Sequence, residues 1–278
     1  MRILVVVYAC EPDRGSEPGV GWNVANQLAK SHDVVALTRA NNRCAIEAVN
    51  SEGSAGEGSL EFLYCDSPTW LRAYKRGRRG IHLYQLQWQV QAFAIALREH
   101  RRRAFDLVWH VTFTTAWLPS LFSVFPAPFV WGPLSCNEPV PSELAATLLS
   151  RRDRVVNLVR RLVNSKPVQR NPILEGARRR ARTLLVVNEF VAGLMPQPLS
   201  GRIVKLPVVA APSIEARSTG RFPDRRLRVL CIGQLIGLKG FVLAVEAVAL
   251  AAREIDVELT IIGDGEQRAR LENLSKSR

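Results

Sequence analysis

At 278 residues, with 47% hydrophobic content and a net charge of +13 at neutral pH, the chain is long enough to bury the core of one large domain or two. Its five cysteines, Cys10, Cys44, Cys65, Cys136 and Cys231, are odd in number, widely spaced and without a C-x-x-C pair, which argues against a disulfide framework or zinc site and suits a reducing cytoplasm. No apolar run reaches the ~20 residues that span a bilayer.

Arg2 followed by apolar Ile3 to Val7 is too short for a signal peptide, and Glu11, Pro12, Asp13 and Arg14 come next, so Arg2 to Tyr8 reads as a first buried strand. A loop over Ala9 to Val20 then leads to a helix over Trp22 to Lys30. Further strands are expected over 33–38, 60–64, 107–111, 128–131, 183–187 and 202–206, and helices near 44–49, 84–103, 116–122, 141–164 and 189–195. This alternation of β and α predicts a doubly wound parallel sheet with ligands at the C-terminal ends of its strands. The stretch 207–226 is rich in proline and glycine and reads as a linker between a domain at 1–206 and a second at 227–278. There, strands at 228–232 and 258–262 flank a helix beginning at Phe241. Two strands are too few for a stable sheet, so a truncated second domain is expected.

The charge is uneven. Between Arg72 and Arg103 there are nine lysines and arginines and one acid, and between Arg151 and Arg182 eleven and two. Two basic segments on a mildly acidic remainder suit an anionic membrane surface, or form a solvated arginine-rich face; specific nucleic-acid recognition is not expected. Within 141–164, Leu144, Leu148, Val155, Leu158 and Leu162 share one side. Such a helix either lies on a membrane or turns its leucines onto the domain core.

Three stretches carry candidate chemistry. Gly15-Ser-Glu-Pro-Gly19-Val-Gly21 lacks the third glycine and the acidic strand end of a dinucleotide fingerprint; it reads as a ligand loop in which Gly19 and Gly21 admit a close backbone approach and Glu17 supplies a carboxylate, with a helix-opening turn that binds nothing as the alternative. His110 ends the strand in FDLVWHVTF, where a histidine is either a core residue or, at a strand's C-terminal end, a site residue. Gly233, Gln234, Lys239 and Gly240 lie between a strand and a helix N-terminus, a place that favours an anion. No Asp-x-Asp and no histidine spacing point to a metal.

The strand, Gly-x-x-x-x-x-Lys-Gly loop and helix resemble the donor site of retaining GT-B glycosyltransferases of family 4. That resemblance implies a GT-B fold, an N-terminal doubly wound domain plus the start of a second Rossmann-like domain, and no cofactor beyond a nucleoside-diphosphate sugar as co-substrate. It implies catalytic roles for Lys239, facing the departing diphosphate, and for His110, reached through the Asp106-x-Val108-x-His110 pattern and touching the transferred sugar. It further implies donor contacts from Gly19, Gly21, Gly233, Gln234, Gly263 and Gly265, and acceptor-side lining from Glu17, Gly132 and Glu138. The family's arginine after the strand-ending glycine is Gln234 here. Its E-x7-E pair is expected beyond Gly265, since Glu246 with Glu254 and Glu258 with Glu266 match in spacing only. The implied activity is retaining transfer to a saccharide or lipid-linked hydroxyl, in the cytoplasm or at the membrane's inner face. A sugar-nucleotide epimerase and a non-catalytic basic binding module are the alternatives.

Overall fold

The computed structural model describes residues 1–50, 58–67, 80–136, 138–207 and 226–277. Most of the expected linker, residues 208–225, and residues 72–79 of the first basic segment lie outside these. By Cα proximity the chain divides into two compact units, residues 1–136 with 163–211, and residues 137–162 with 212–278.

The first unit is built on seven strands: β1 (Arg2–Val6), β2 (Asp33–Arg39), β3 (Ser59–Cys65), β4 (Leu107–His110), β5 (Phe129–Leu134), β6 (Thr183–Val186) and β7 (Ile203–Lys205). They pair in parallel in the order β3-β2-β1-β4-β5-β6-β7. β1 is buried throughout, as a central parallel strand covered on both faces must be. Its alternate residues serve opposite layers. Leu4 and Val6 join Trp88 and Ala92 of α3 (Ile81–Arg102), whereas Ile3 and Val5 join Ala25 and Ala29 of α1 (Ser16–Ala29) and Ile46 of α2 (Arg43–Asn50). At the N-terminal edge, the backbone N–H of Arg2 donates to Asp106 Oδ2 at 2.7 Å and its guanidinium bonds Glu99 at 3.0 Å, tying β1 to α3 and the start of β4. Because the chain winds outward through β2 and β3 and then returns to β4, the topological switch point falls between β1 and β4.

Several elements differ from expectation for local reasons. The helix expected from Trp22 begins at Ser16, since proline is tolerated in a first turn and the glycines let it lie close to the preceding loop. A helix over 116–122 does not form: beyond Pro119 there is only a 3₁₀ turn, Leu121–Val124, where Ser120 Oγ accepts from the N–H of Phe122 at 3.2 Å. The segment 141–164 is two helices, α4 (Ser142–Leu148) and α5 (Arg151–Val163). Ser150 and Asp153 divide them with a reciprocal cap, Asp153 N–H donating to Ser150 Oγ at 3.1 Å and Ser150 N–H to Asp153 Oδ2 at 3.3 Å. Two further helices, α6 (Lys166–Gln169) and α7 (Pro172–Arg180), precede β6, and α8 (Glu189–Gly193) follows it.

The second unit pairs β8 (Leu227–Ile232) in parallel with β9 (Val257–Ile262) through α9 (Phe241–Ala251), with α10 (Arg268–Lys276) following. Residues 137–162, placed by sequence in the first domain, group with this unit. Val140, Leu148 and Leu149 share a core with Leu235, Phe241, Val242, Val245 and Leu271, and Gln267 Nε2 donates to the carbonyl of Leu148 at 2.8 Å.

An added Cβ at Gly21 would stand 2.2 Å from the carbonyl oxygen of Ala9 and 3.2 Å from a methyl of Thr112. Gly21→Ala should therefore destabilise the chain by about 1–3 kcal/mol, read from its urea midpoint. Gly193→Ala, with nothing within 4 Å of the new atom, should leave the midpoint unchanged or slightly raised.

Candidate functional site

At the switch point the loops leaving β1 and β4 are joined by hydrogen bonds. Val111 N–H donates to Val6 carbonyl at 3.0 Å and Ala9 N–H to Thr112 Oγ1 at 3.0 Å. Phe113 then adopts a left-handed backbone with φ of 58°, a strained state for a residue with a side chain. Its N–H donates to Glu17 Oε1 at 2.9 Å, so the first turn of α1 holds the strained loop in place. Desolvation pushes the Glu17 carboxyl above its ordinary range, with the Phe113 bond working against that rise. Tyr8 carbonyl accepts from Arg39 Nε at 3.0 Å and Asn42 Nδ2 at 3.3 Å, while the Arg39 guanidinium lies 4.3 Å above the Tyr8 ring. These residues at or beyond the strand ends, Thr112, Phe113, Arg39 and Asn42, were missed in sequence. The Thr-x-Thr-Thr run after His110 was the available signal.

The expected glycines are occupied by the chain itself. A Cβ at Gly19 would stand 2.0 Å from the carbonyl oxygen of Arg14, so Gly19, like Gly21, serves the contact between α1 and its own entry loop. Gly132 has φ of 119° and is joined to Pro133 by a cis peptide; a Cβ there would stand 2.2 Å from Leu185 carbonyl oxygen, and its own carbonyl accepts from Trp109 Nε1 at 2.7 Å. It lies within the sheet. His110 is 1% exposed, with Nδ1 2.7 Å from Ser120 Oγ and the ring edge-on to Phe122. Burial lowers its pKa to about 3, the Thr112 backbone opposing weakly, so the ring is neutral at physiological pH. Glu138 is exposed and groups with the second unit.

In the second unit, the loops after β8 and β9 extend the parallel ladder. Gly233 N–H donates to Ile262 carbonyl at 3.0 Å, Leu235 N–H to Asp264 carbonyl at 2.9 Å, and Gln267 N–H to Leu235 carbonyl at 2.9 Å. A Cβ at Gly263 would stand 1.9 Å from Gly233 carbonyl oxygen, and one at Gly265 2.6 Å from that of Leu235. Gln234 and Lys239 are exposed. Lys239 closes a 3₁₀ turn, Gly237–Lys239, and Gly240, at φ of 69°, reverses the chain into α9 with no side chain capping the helix. Among the described residues Lys239 has no ion-pair partner within 4.0 Å. The arrangement offers a free ammonium beside an uncapped helix N-terminus, a combination suited to phosphate. A hollow of about 400 Å³ between α9, β9 and α10 is lined by Val248, Ala249, Leu259, Ile261 and Leu271, with Arg268, Glu272 and Ser275 on its α10 side, where Arg268 Nε donates to Glu272 Oε1 at 3.0 Å. No group of three metal-ligating side chains occurs among the described residues.

No protein-family model and no curated protein matches the chain. Solved structures do. A glycosyltransferase from Rickettsia africae ESF-5 is 14% identical with a TM-score of 0.50, the match covering 99% of this chain and 64% of that one. The lipopolysaccharide outer core galactosyltransferase WaaB in its apo form is 11% identical with a TM-score of 0.50, covering 100% and 65%. The chain therefore has the α/β, GT-B type fold of these glycosyltransferases and spans just under two thirds of their lengths.

Glu17 can be tested by charge and by shape. Its raised pKa means the folded state binds the carboxyl proton more tightly than the unfolded state, so its ionisation lowers stability as pH rises through the ordinary carboxylate range. Glu17→Gln should keep the Phe113 bond and be at least as stable as wild type at pH 7, the gap closing on acidification. Glu17→Ala should lose about 1–3 kcal/mol at either pH by orphaning the Phe113 N–H, measured by urea titration.

Proposed function

We propose that this chain forms part of a retaining glycosyltransferase of the family-4 kind, moving a hexosyl group from a nucleoside-diphosphate sugar to an acceptor hydroxyl in polysaccharide or glycolipid synthesis. The observation that carries the reading is Lys239, an exposed ammonium with no ion-pair partner among the described residues, one residue before the left-handed Gly240 that opens uncapped α9. In the transfer, the bond between the anomeric carbon and the diphosphate oxygen breaks, and the acceptor oxygen bonds to the same face of that carbon. The acceptor proton passes to the departing phosphate oxygen. Negative charge grows on the diphosphate as this happens, and a fixed ammonium lowers the barrier to the extent that it meets that growth.

Gln234, exposed beside the end of β8, would add a neutral hydrogen bond but no charge. Gly19, Gly21, Gly263 and Gly265 enter this reading as residues that let loops close up, with the backbone distances above in support; Gly132 lets β5 lie against Leu185 of β6, and Gly233, where an added Cβ would meet only the Phe241 ring at 3.5 Å, is kept as a donor contact beyond β8. Glu17 is assigned to the acceptor side through its hold on the Phe113 loop. His110 acts in this reading as a positioning residue, bracing Ser120 from the core, and Glu138 is given no role. The acceptor would be presented at an anionic membrane surface, with the basic segments Arg72–Arg103 and Arg151–Arg182 as the supporting feature.

Calorimetric titration with UDP, GDP and ADP tests the donor half. One of them should bind at least about tenfold more tightly than inorganic phosphate, and Lys239→Met should remove most of that advantage while leaving the urea midpoint unchanged. Equal affinity of wild type and variant would overturn the role of Lys239.

A further inference from the structure

We infer that α5 is a membrane-seating helix whose outward apolar stripe enters an anionic bilayer while flanking arginines hold the headgroup phosphates. It deepens the membrane-surface part of the proposed function and is independent of the transfer chemistry. The first observation is which side of α5 is tied down. Asn157 is buried, accepting from Val140 N–H at 2.7 Å and donating to Val140 carbonyl at 3.1 Å, and Arg161 adds a bond to the same carbonyl at 3.3 Å. The residue facing inward is thus an amide held by paired backbone bonds, and the helix cannot roll without breaking them.

The second observation is what this leaves outside. Val155, Leu158, Val159 and Leu162 are 63%, 67%, 53% and 64% exposed. Their spacing of three and four residues places them, at about 100° per residue, on one stripe roughly opposite Asn157. A helix destined for a protein core would present these side chains inward. Here the polar side is inward and the apolar side outward.

The third is the charge around that stripe. Arg151, Arg152 and Arg154 are exposed, and on the same helical wheel Arg152 and Arg154 border the stripe on either edge. α5 carries five arginines and one acid, and that acid, Asp153, is engaged with Ser150. A single helix with an apolar stripe edged by guanidinium groups matches the boundary between acyl chains and anionic headgroups. Arginine stems extend along apolar surface while their ends reach phosphate, so both residue classes are satisfied at one depth.

The experiment is flotation of the whole chain with vesicles of equal parts phosphatidylcholine and phosphatidylglycerol, against phosphatidylcholine alone. Wild type should float with the mixed vesicles only. Leu158→Ser with Leu162→Ser, both exposed and so without effect on the urea midpoint, should lower the bound fraction at least tenfold; Arg152→Gln with Arg154→Gln should do the same at low salt. If the leucine variant floats like wild type, α5 is not the seat, although the surface reading survives. If wild type does not float, both fail. Binding to random-sequence RNA that is lost with the arginines and unaffected by the leucines would replace the bilayer by a nucleic-acid contact. Nucleotide affinity at Lys239 is read separately, so failure of the transfer reading is distinguishable from all three.

Discussion

In each unit, loops leaving neighbouring parallel strands or their helices approach another backbone so closely that no Cβ fits between. Gly21 against Ala9 carbonyl and Gly263 against Gly233 carbonyl are two such instances at the strand ends, at 2.2 and 1.9 Å for the missing atom. The first brings α1 down on the β1 loop, which in turn lets Thr112 reach Ala9 N–H and Glu17 reach Phe113 N–H. The second keeps the loops after β8 and β9 in step, so that the turn bearing Lys239 leaves a fixed platform. The polar groups at both strand ends owe their places to this absence of side chains.

Hydrophobic pattern explains what was legible in the sequence. β-branched apolar runs locate β1 and β2 because a buried parallel strand has no polar face to disguise it, and they locate β8 and β9 too, although none of the residues of those two strands is buried. The glycine-rich segments were also visible, and their close approach was read as an approach to a ligand. What sequence could not supply was the partner. The same freedom that admits a phosphate also admits a carbonyl, and for Gly19, Gly21, Gly263 and Gly265 the neighbouring atom is a carbonyl of the chain itself. For His110, position at a strand's end suggested a site, but side-chain alternation along β4 turns it inward with Val108 to Ser120 and Phe122.

Helices were harder to read because their ends depend on single polar contacts. The reciprocal cap between Ser150 and Asp153 is a short motif that divides 141–164, and once recognised it predicts a new helix at Arg151. Orientation needed more. The leucines of that segment fit an inward face equally well by periodicity, and the Asn157 bonds to Val140, between residues 17 apart, decide which side is held. Pro119 was the overlooked signal against a helix over 116–122. The division and the orientation of 141–164 each rest on two hydrogen bonds acting against a pattern that looked sufficient.

The two regions differ in chemical character. At the β1 and β4 ends, the carboxylate, hydroxyl and guanidinium groups are engaged with backbone, which makes a rigid wall around the strained Phe113. Beside α9, the exposed amide and ammonium of Gln234 and Lys239 face solvent and so are free to meet a charged ligand. The most direct measurement is a crystal structure of the chain with a bound nucleoside diphosphate. The account predicts diphosphate oxygens within hydrogen-bond distance of Lys239 Nζ and of the first turn of α9. A diphosphate bound elsewhere, with Lys239 pointing into solvent, would contradict it.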